Sequence, residues 1–361
     1  MSRQHGQAIS SSGKRKCSRS ERDWWTVKGQ NTILSDQNGD KPKHHLENKL
    51  VIAVSSRALF DFEEENKIFE GQGIEAYKQH QLDHVSEAAR QGVAFSLVQK
   101  LLSLNEKEDL VEVVILSRND PASGLRVFNS TKHYNLNITR GAFVAGSDPY
   151  VYLKAFRANL FLSASEEDVR AALAQGVPAG RIIRGRAGYD DPKPKQLRIA
   201  FDGDAVLFDD QSEQIYQKEG LSAFQQYEDD NKDLPHAPGP FKPFLDVLHQ
   251  LRSNFPKEGR RIRVALVTAR NAPSHERAIR TLMKWGVDVD EAFFLGGLPK
   301  AEFLEQFHPD FFFDDQTKHC DLAAPLVPTA HVPFGVMNKL LAAGATSGGR
   351  EEFSGLPTDE G

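Results

Sequence analysis

Ile199-Ala200-Phe201-Asp202-Gly203-Asp204-Ala205-Val206 sets two carboxylates directly behind a short, wholly apolar run. A run that is apolar at every position, rather than every second one, fits a parallel strand covered on both faces. Ligands of open α/β sheets bind at the carboxyl ends of such strands, so Asp202 and Asp204 stand where chemistry is done. Similar runs recur outward in both directions: Leu50-Val51-Ile52-Ala53-Val54, Val113-Val114-Ile115-Leu116, Leu160-Phe161-Leu162, Val264-Ala265-Leu266-Val267 and Phe311-Phe312-Phe313. Between them lie amphipathic stretches such as Ala89 to Leu102 and His275 to Trp285. The alternation predicts an α/β fold with parallel strands.

The chain also resembles itself. Ile68-Phe69-Glu70-Gly71-Gln72-Gly73-Ile74-Glu75-Ala76-Tyr77 returns as Ile215-Tyr216-Gln217-Lys218-Glu219-Gly220-Leu221-Ser222-Ala223-Phe224. Ser117-Arg118-Asn119-Asp120-Pro121 matches Ala269-Arg270-Asn271-Ala272-Pro273, and the stretch from Gly141 to Gly146 matches that from Glu291 to Gly296. Three matches in the same order predict two tandem Rossmann-like units, over 48–183 and 197–340. The join is expected between Arg184 and Gln196, where glycines, prolines and Asp190-Asp191 break regular structure.

Bulk properties exclude several classes. The 361 residues, 39% of them hydrophobic, suffice for a large core and two units of ordinary size. A formal charge of −5 gives no field that would draw nucleic acid or an anionic membrane. No apolar run approaches the roughly 20 residues of a membrane span, and the polar N-terminus is unlike a secretory signal. Cys17 and Cys320, the two cysteines, form neither a disulfide scaffold nor a zinc motif. The chain is therefore expected in the cytoplasm. Residues 1–47, with the basic Lys14-Arg15-Lys16, and residues 341–361 lack helical or strand periodicity and are expected to be disordered tails.

Two carboxylates as close as Asp202 and Asp204 repel unless a cation or proton lies between them, and oxygen-ligated magnesium answers that need. The D-x-D pattern alone also occurs in glycosyltransferases and in plain acidic turns. Later runs add polar groups at the same edge: one ends in Thr268-Ala269-Arg270 and another in Asp314-Asp315-Gln316. Lys300, after Gly296-Gly297-Leu298-Pro299, opens a helical stretch that returns there. Each has a plainer alternative: Thr268 as a helix cap, Lys300 as a solvated side chain, Asp314 as a prop for Asp315.

Taken together these segments resemble the haloacid dehalogenase superfamily of phosphatases and, within it, the cytosolic 5′-nucleotidase type I family. The resemblance rests on residues 200–208, 267–273 and 312–316 and extends from about Leu50 to about Val336. It implies a second unit of haloacid dehalogenase type with a small cap insertion. The implied reaction is hydrolysis of nucleoside 5′-monophosphates, AMP first, through an aspartyl-phosphate on Asp202. Asp204 would be the general acid and base, and Thr268 and Lys300 would hold the phosphate. Magnesium would sit among Asp202, the Asp204 backbone carbonyl and Asp315 or Asp314, with Asp315 the expected direct ligand. A phosphatase of another small phosphomonoester, a D-x-D glycosyltransferase and a non-catalytic nucleotide sensor are the alternatives. A homo-oligomer stays open.

Between Asp202 and Thr268, Phe224, Tyr227, Phe241 and Phe244 are read as core rather than as a base-stacking surface. His319 and Cys320 are read as helix surface or packing. Repeat alignment sets Ser55 opposite Asp202, Arg57 opposite Asp204, Leu116 opposite Thr268, and Ser163-Ala164 opposite Asp314-Asp315. Without carboxylates, the first unit is expected to be catalytically inert and to shape or complete the substrate pocket.

Overall fold

A computed structural model describes residues 46, 48–185, 194–256 and 260–339. Nearly all of both expected tails and most of the expected join fall outside these residues. Along the chain run β1 (Leu50–Val54), β2 (Phe60–Asp61), β3 (Arg90–Gln91), β4 (Val111–Ser117), β5 (Arg140–Phe143) and β6 (Leu160–Ser163). They are followed by β7 (Ala179–Ile183), β8 (Leu197–Phe201), β9 (Ile262–Thr268), β10 (Glu291–Phe294), β11 (Phe311–Asp314) and β12 (Thr329–His331). Ten of them build one sheet in the order β10-β9-β8-β11-β12-β7-β6-β1-β4-β5, while β2 and β3 pair apart.

The expected α/β class is present, and each apolar run quoted above lies in a strand of the large sheet. Every neighbour pair is parallel except one: β12 meets β7 antiparallel, with Ala330 opposite Ile182. On either side of that seam the order is the same, with β1 and β8 each third from their end of the sheet. Helix geometry repeats too. Gly73 breaks the helical stretch 63–83 at φ 86°, and Gly220 breaks 211–230 at φ 83°, a backbone conformation that side chains other than glycine's disfavour.

Alternation along the strands sorts side chains to the two faces. Leu50, Ile52 and Val54 share a single core with Leu197, Ile199 and Phe201, so one face of the sheet buries both halves together. On the other face Val51 and Ala53 join one cluster, and Ala200 and Phe312 join another. The shared core holds a ring cluster in which Phe313 stacks on Phe201 at 5.5 Å and meets Phe241 at 4.7 Å. Phe224, Phe241 and Phe244 are all buried, in keeping with the core reading of these aromatics.

Because the seam is antiparallel, the carboxyl ends of β1, β4 and β6 open at the edge of the sheet opposite to those of β8, β9 and β11. The carboxyl ends of the first half's strands therefore do not line the pocket at Asp202. Residue alignment could not show this, because it does not say which way two halves face.

Candidate active site

β8 delivers Asp202 directly after its last paired residue, and the Asp202 N–H bonds the Phe313 carbonyl at 2.8 Å. The chain then makes a wide turn closed by the Phe208 N–H on the Gly203 carbonyl at 2.8 Å. Ala205 within it holds φ 58°, a left-handed conformation that costs a residue with a Cβ about 1 kcal/mol or more. Such a turn reverses the chain within a few residues and keeps Asp202 and Asp204 at one edge. β9 ends at Thr268, whose Oγ1 accepts the Arg270 N–H at 3.3 Å; a Cβ on Gly203 would lie 3.5 Å from that hydroxyl.

Lys300 opens the helix Lys300–Phe307 and is buried, so it is no solvated side chain. Its Nζ lies 2.7 Å from Asp202 Oδ1 and 2.6 Å from Asp314 Oδ2. Burial works against its charge, but the two carboxylates outweigh it and raise its pKa. Asp314, at the end of β11, accepts the Gln316 N–H at 2.8 Å on its other oxygen. Burial would raise that carboxyl, but Lys300 and then His319 bring it down to about 2. Asp315 shows the opposite balance: burial, then the charges of Asp314 and Asp202, push it well above the usual carboxylate range. Burial likewise takes Asp202 up to about 7, with Asp314 adding to the rise and Lys300 opposing it.

All six residues picked from the sequence lie at or beside this one strand edge: Asp202, Thr268, Asp314 and Asp315 at strand ends, Asp204 on the turn after β8 and Lys300 at the start of its helix. Carboxylate oxygens of Asp202, Asp314 and Asp315 lie within 4.8 Å of one another. Three buried carboxylates against one lysine leave an excess of negative charge, and an oxygen-only donor set suits a hard divalent cation. Both Asp314 oxygens are engaged, whereas the Asp315 carboxylate has no hydrogen-bond partner among the described residues. Its position is fixed through its backbone carbonyl, which takes bonds from His331 Nε2 at 3.0 Å and Asn338 Nδ2 at 2.9 Å.

Sequence reasoning missed the group behind Asp204. Arg270 grips that carboxylate with two bonds, Nε to Oδ2 at 2.9 Å and Nη2 to Oδ1 at 2.6 Å, and also bonds Glu228. Glu228 is buried and takes Ser212 Oγ at 2.6 Å and Arg277 Nη1 at 3.0 Å. Burial raises the Glu228 carboxyl, yet His236 and the Arg270 charge overcome that and lower it to about 2. Arg270 stands two residues after Thr268 in a motif already singled out, so position pointed to it; Glu228 lies in no motif. His319, read as helix surface or packing, instead places Nδ1 3.3 Å from Asp314 Oδ2. Cys320 is packing: it is fully buried, and burial pushes its thiol pKa up.

Strand register also amends the alignment of the halves. Ser117, not Leu116, occupies the position of Thr268, since Ser117 pairs with Phe143 as Thr268 pairs with Phe294. Its hydroxyl accepts the Asn119 N–H at 3.1 Å, the same local bond that Thr268 makes with Arg270. Ser163 accepts from Ser165 at 3.1 Å as Asp314 accepts from Gln316.

A 5′-nucleotidase family model matches residues 42–339. Human cytosolic 5′-nucleotidase 1B is 39% identical over an alignment of 309 residues that covers 81% of this chain and 50% of that protein. The chain thus spans half the length of this relative. Among solved structures, a chain of the Pnkp1/Rnl/Hen1 complex is 12% identical, covering 82% of this chain and 99% of its own, with a TM-score of 0.30, too low to bear on the fold. The family match, by contrast, runs without a break from ahead of β1 to beyond β12 and takes in every strand of the sheet and every residue of the acidic site: the chain belongs to the 5′-nucleotidase family.

Proposed function

We propose that this chain is a magnesium-dependent phosphatase of nucleoside 5′-monophosphates, AMP foremost, working through an aspartyl-phosphate on Asp202. The observation that carries the proposal is the convergence of three buried carboxylates, Lys300 and Thr268 on adjacent strand ends. Family membership and the name of the human relative support it.

In the first step an Asp202 oxygen attacks phosphorus, the bond to the ester 5′-oxygen breaks, and Asp204 gives that oxygen its proton. In the second, Asp204 takes a proton from water as the water oxygen attacks phosphorus, and the Asp202–phosphorus bond breaks to release inorganic phosphate. Thr268, by its hydroxyl, and Lys300, by its charge, hold the equatorial oxygens as charge shifts. Magnesium, held by Asp202, Asp315 and the Asp204 carbonyl with Asp314 bracing Lys300, would supply charge that shields the nucleophile from phosphate. A D-x-D transferase would have no need of Thr268 and Lys300 beside its carboxylates.

The repeated strand order and the paired glycine breaks favour two tandem units of similar topology, the second of haloacid dehalogenase type with 211–230 as its small cap. We place the protein in the cytoplasm, on the relative's name; no described helix is long and apolar enough to cross a membrane.

The test is phosphate release from AMP, IMP, dTMP and a non-nucleotide ester, with and without magnesium, in the parent protein and in Asp202→Asn. The proposal expects magnesium-dependent release from nucleotides and its loss in the variant. Release that survives the substitution would remove the aspartyl-phosphate, and release from the plain ester alone would remove the nucleotide.

A further inference from the structure

The carboxyl ends of β1, β4 and β6 enclose a cavity of about 390 Å³ at the position equivalent to the acidic site, on the opposite edge of the sheet. Its size lies within the ordinary range for small-molecule sites of roughly 300–1,000 Å³. Its floor carries Ser55, Ser117 and Ser163 where the other half carries Asp202, Thr268 and Asp314. Ser55 Oγ accepts the Ala58 N–H at 3.2 Å and Ser163 Oγ accepts that of Ser165 at 3.1 Å. Neither hydroxyl donates a bond among the described residues, so both O–H groups are available to an acceptor.

The two cations that line this cavity are already paired, and Asp120, which also lines it, adds a carboxylate held by the Ala122 N–H at 2.9 Å and by Ser123 rather than by a cation. Arg118 is held by Asp168, Nη2 to Oδ1 at 2.6 Å, and by Asp148 at 2.9 Å. Arg57 pairs with Glu63 at 3.1 Å. A phosphate would meet no uncommitted cation there and would lose its hydration without return. At the mouth the lining turns apolar and aromatic: Phe69 and Ile74 are each about half exposed, and Phe69 packs edge-on against Tyr77 at 6.1 Å. Asn119 Nδ2 bonds the Tyr77 hydroxyl at 2.9 Å and holds that ring in place.

A polar, hydroxyl-donating floor beneath an aromatic mouth, with its cations paired and a carboxylate that repels anions, fits a molecule that joins a flat ring to an uncharged polyol. We propose that this cavity is a second, non-catalytic site for a nucleoside, with its sugar on the serine floor and its base against Phe69 and Tyr77. Choosing a nucleoside among such molecules rests on the hydrolase reading above.

The experiment is hydrogen exchange of the full chain with adenosine, and separately with inorganic phosphate, in the parent protein and in Phe69→Ala. Protection by adenosine of 63–83 and of the segment around Ser117 is expected. Phe69→Ala should weaken adenosine binding about tenfold, the loss of an aromatic contact of roughly 1.4 kcal/mol, and leave phosphate release from AMP unchanged. Protection confined to the segments around Asp202, Thr268 and Asp314 would overturn the proposal, since adenosine would then bind only as product. Protection of the cavity by phosphate but not adenosine would overturn it as well. Exchange reads binding and not turnover: protection of the cavity without phosphate release would sink the hydrolase reading alone, and release without protection would sink the cavity site alone.

Discussion

Asp204 and Arg270 form the contact on which the chemistry of a single residue most depends. In the proposed mechanism Asp204 is the general acid, a role that contributes about 10²–10⁴-fold only when the carboxyl is well placed, and a two-bond guanidinium grip fixes where it lies. Lysine keeps the charge but cannot make both bonds. Arg270→Lys is expected to lower kcat for AMP about 10²-fold with little change in KM. A fall of less than threefold would show that Asp204 is aligned by something else.

Glu228, behind Arg270, gives a pH dependence whose sign follows from its lowered pKa. Held near 2 in the fold against 4.5 as its ordinary value, its carboxyl binds protons less readily folded than unfolded. Its contribution, on the order of 3 kcal/mol, is present above about pH 4.5 and is lost as pH falls toward 2. Urea unfolding at stepped pH should show this loss, and in Glu228→Gln the same interval should be flatter. Most of these residues were legible because each follows an apolar run or a glycine turn, as Asp202, Thr268 and Lys300 do. Glu228 was not, because a buried acid in a helix reads as one more solvated charge until its partners are known.

Among the elements, the helical stretch 211–230 is the one whose shape links sequence to site. Gly220 breaks it at φ 83°, and beyond the break lies Glu228. A Cβ at Gly220 would meet nothing within 4 Å, so the cost of Gly220→Ala is conformational alone, about 1–3 kcal/mol. Gly73, its twin at φ 86°, also has open space around it. Both alanine variants should lose similar stability in urea, but only Gly220→Ala should also slow phosphate release, because only that break positions Glu228. Equal slowing in both would detach Glu228 from the site. Element type was readable where strands were long and apolar. β7 and β12 were not: Arg181 interrupts the first, and the three residues Thr329-Ala330-His331 hardly read as an apolar run, yet these two strands form the seam.

At the scale of the whole molecule, the halves are tied by more than the seam. Lys100, in the helix Phe95–Leu102 of the first half, reaches Asp310 ahead of β11 at 2.7 Å, and both side chains are buried. Asp310 also accepts the Arg198 N–H at 2.8 Å, which locks the start of β8. Removing one partner of such a pair leaves a buried charge short of its partner. Lys100→Met is expected to cost about 3 kcal/mol in urea unfolding, although the residue stands far along the sequence from the acidic site. A loss below about 0.5 kcal/mol would mean that the halves hold together without it. The sequence repeat pointed to the strand order that recurs on the two sides of the seam but not to their mutual direction, because a repeat in residues carries no information on whether the two stretches meet head to head or head to tail.

The seam also bears on how the chain is made. A ribosome finishes β7 long before β12, the last strand of the described chain, so the edge of β7 waits unpaired while the whole second half is synthesised. A waiting strand edge invites pairing with other nascent chains. The charge of Arg181 on β7 blunts that hazard, and the strand that finally covers it also seals β11 on its other side.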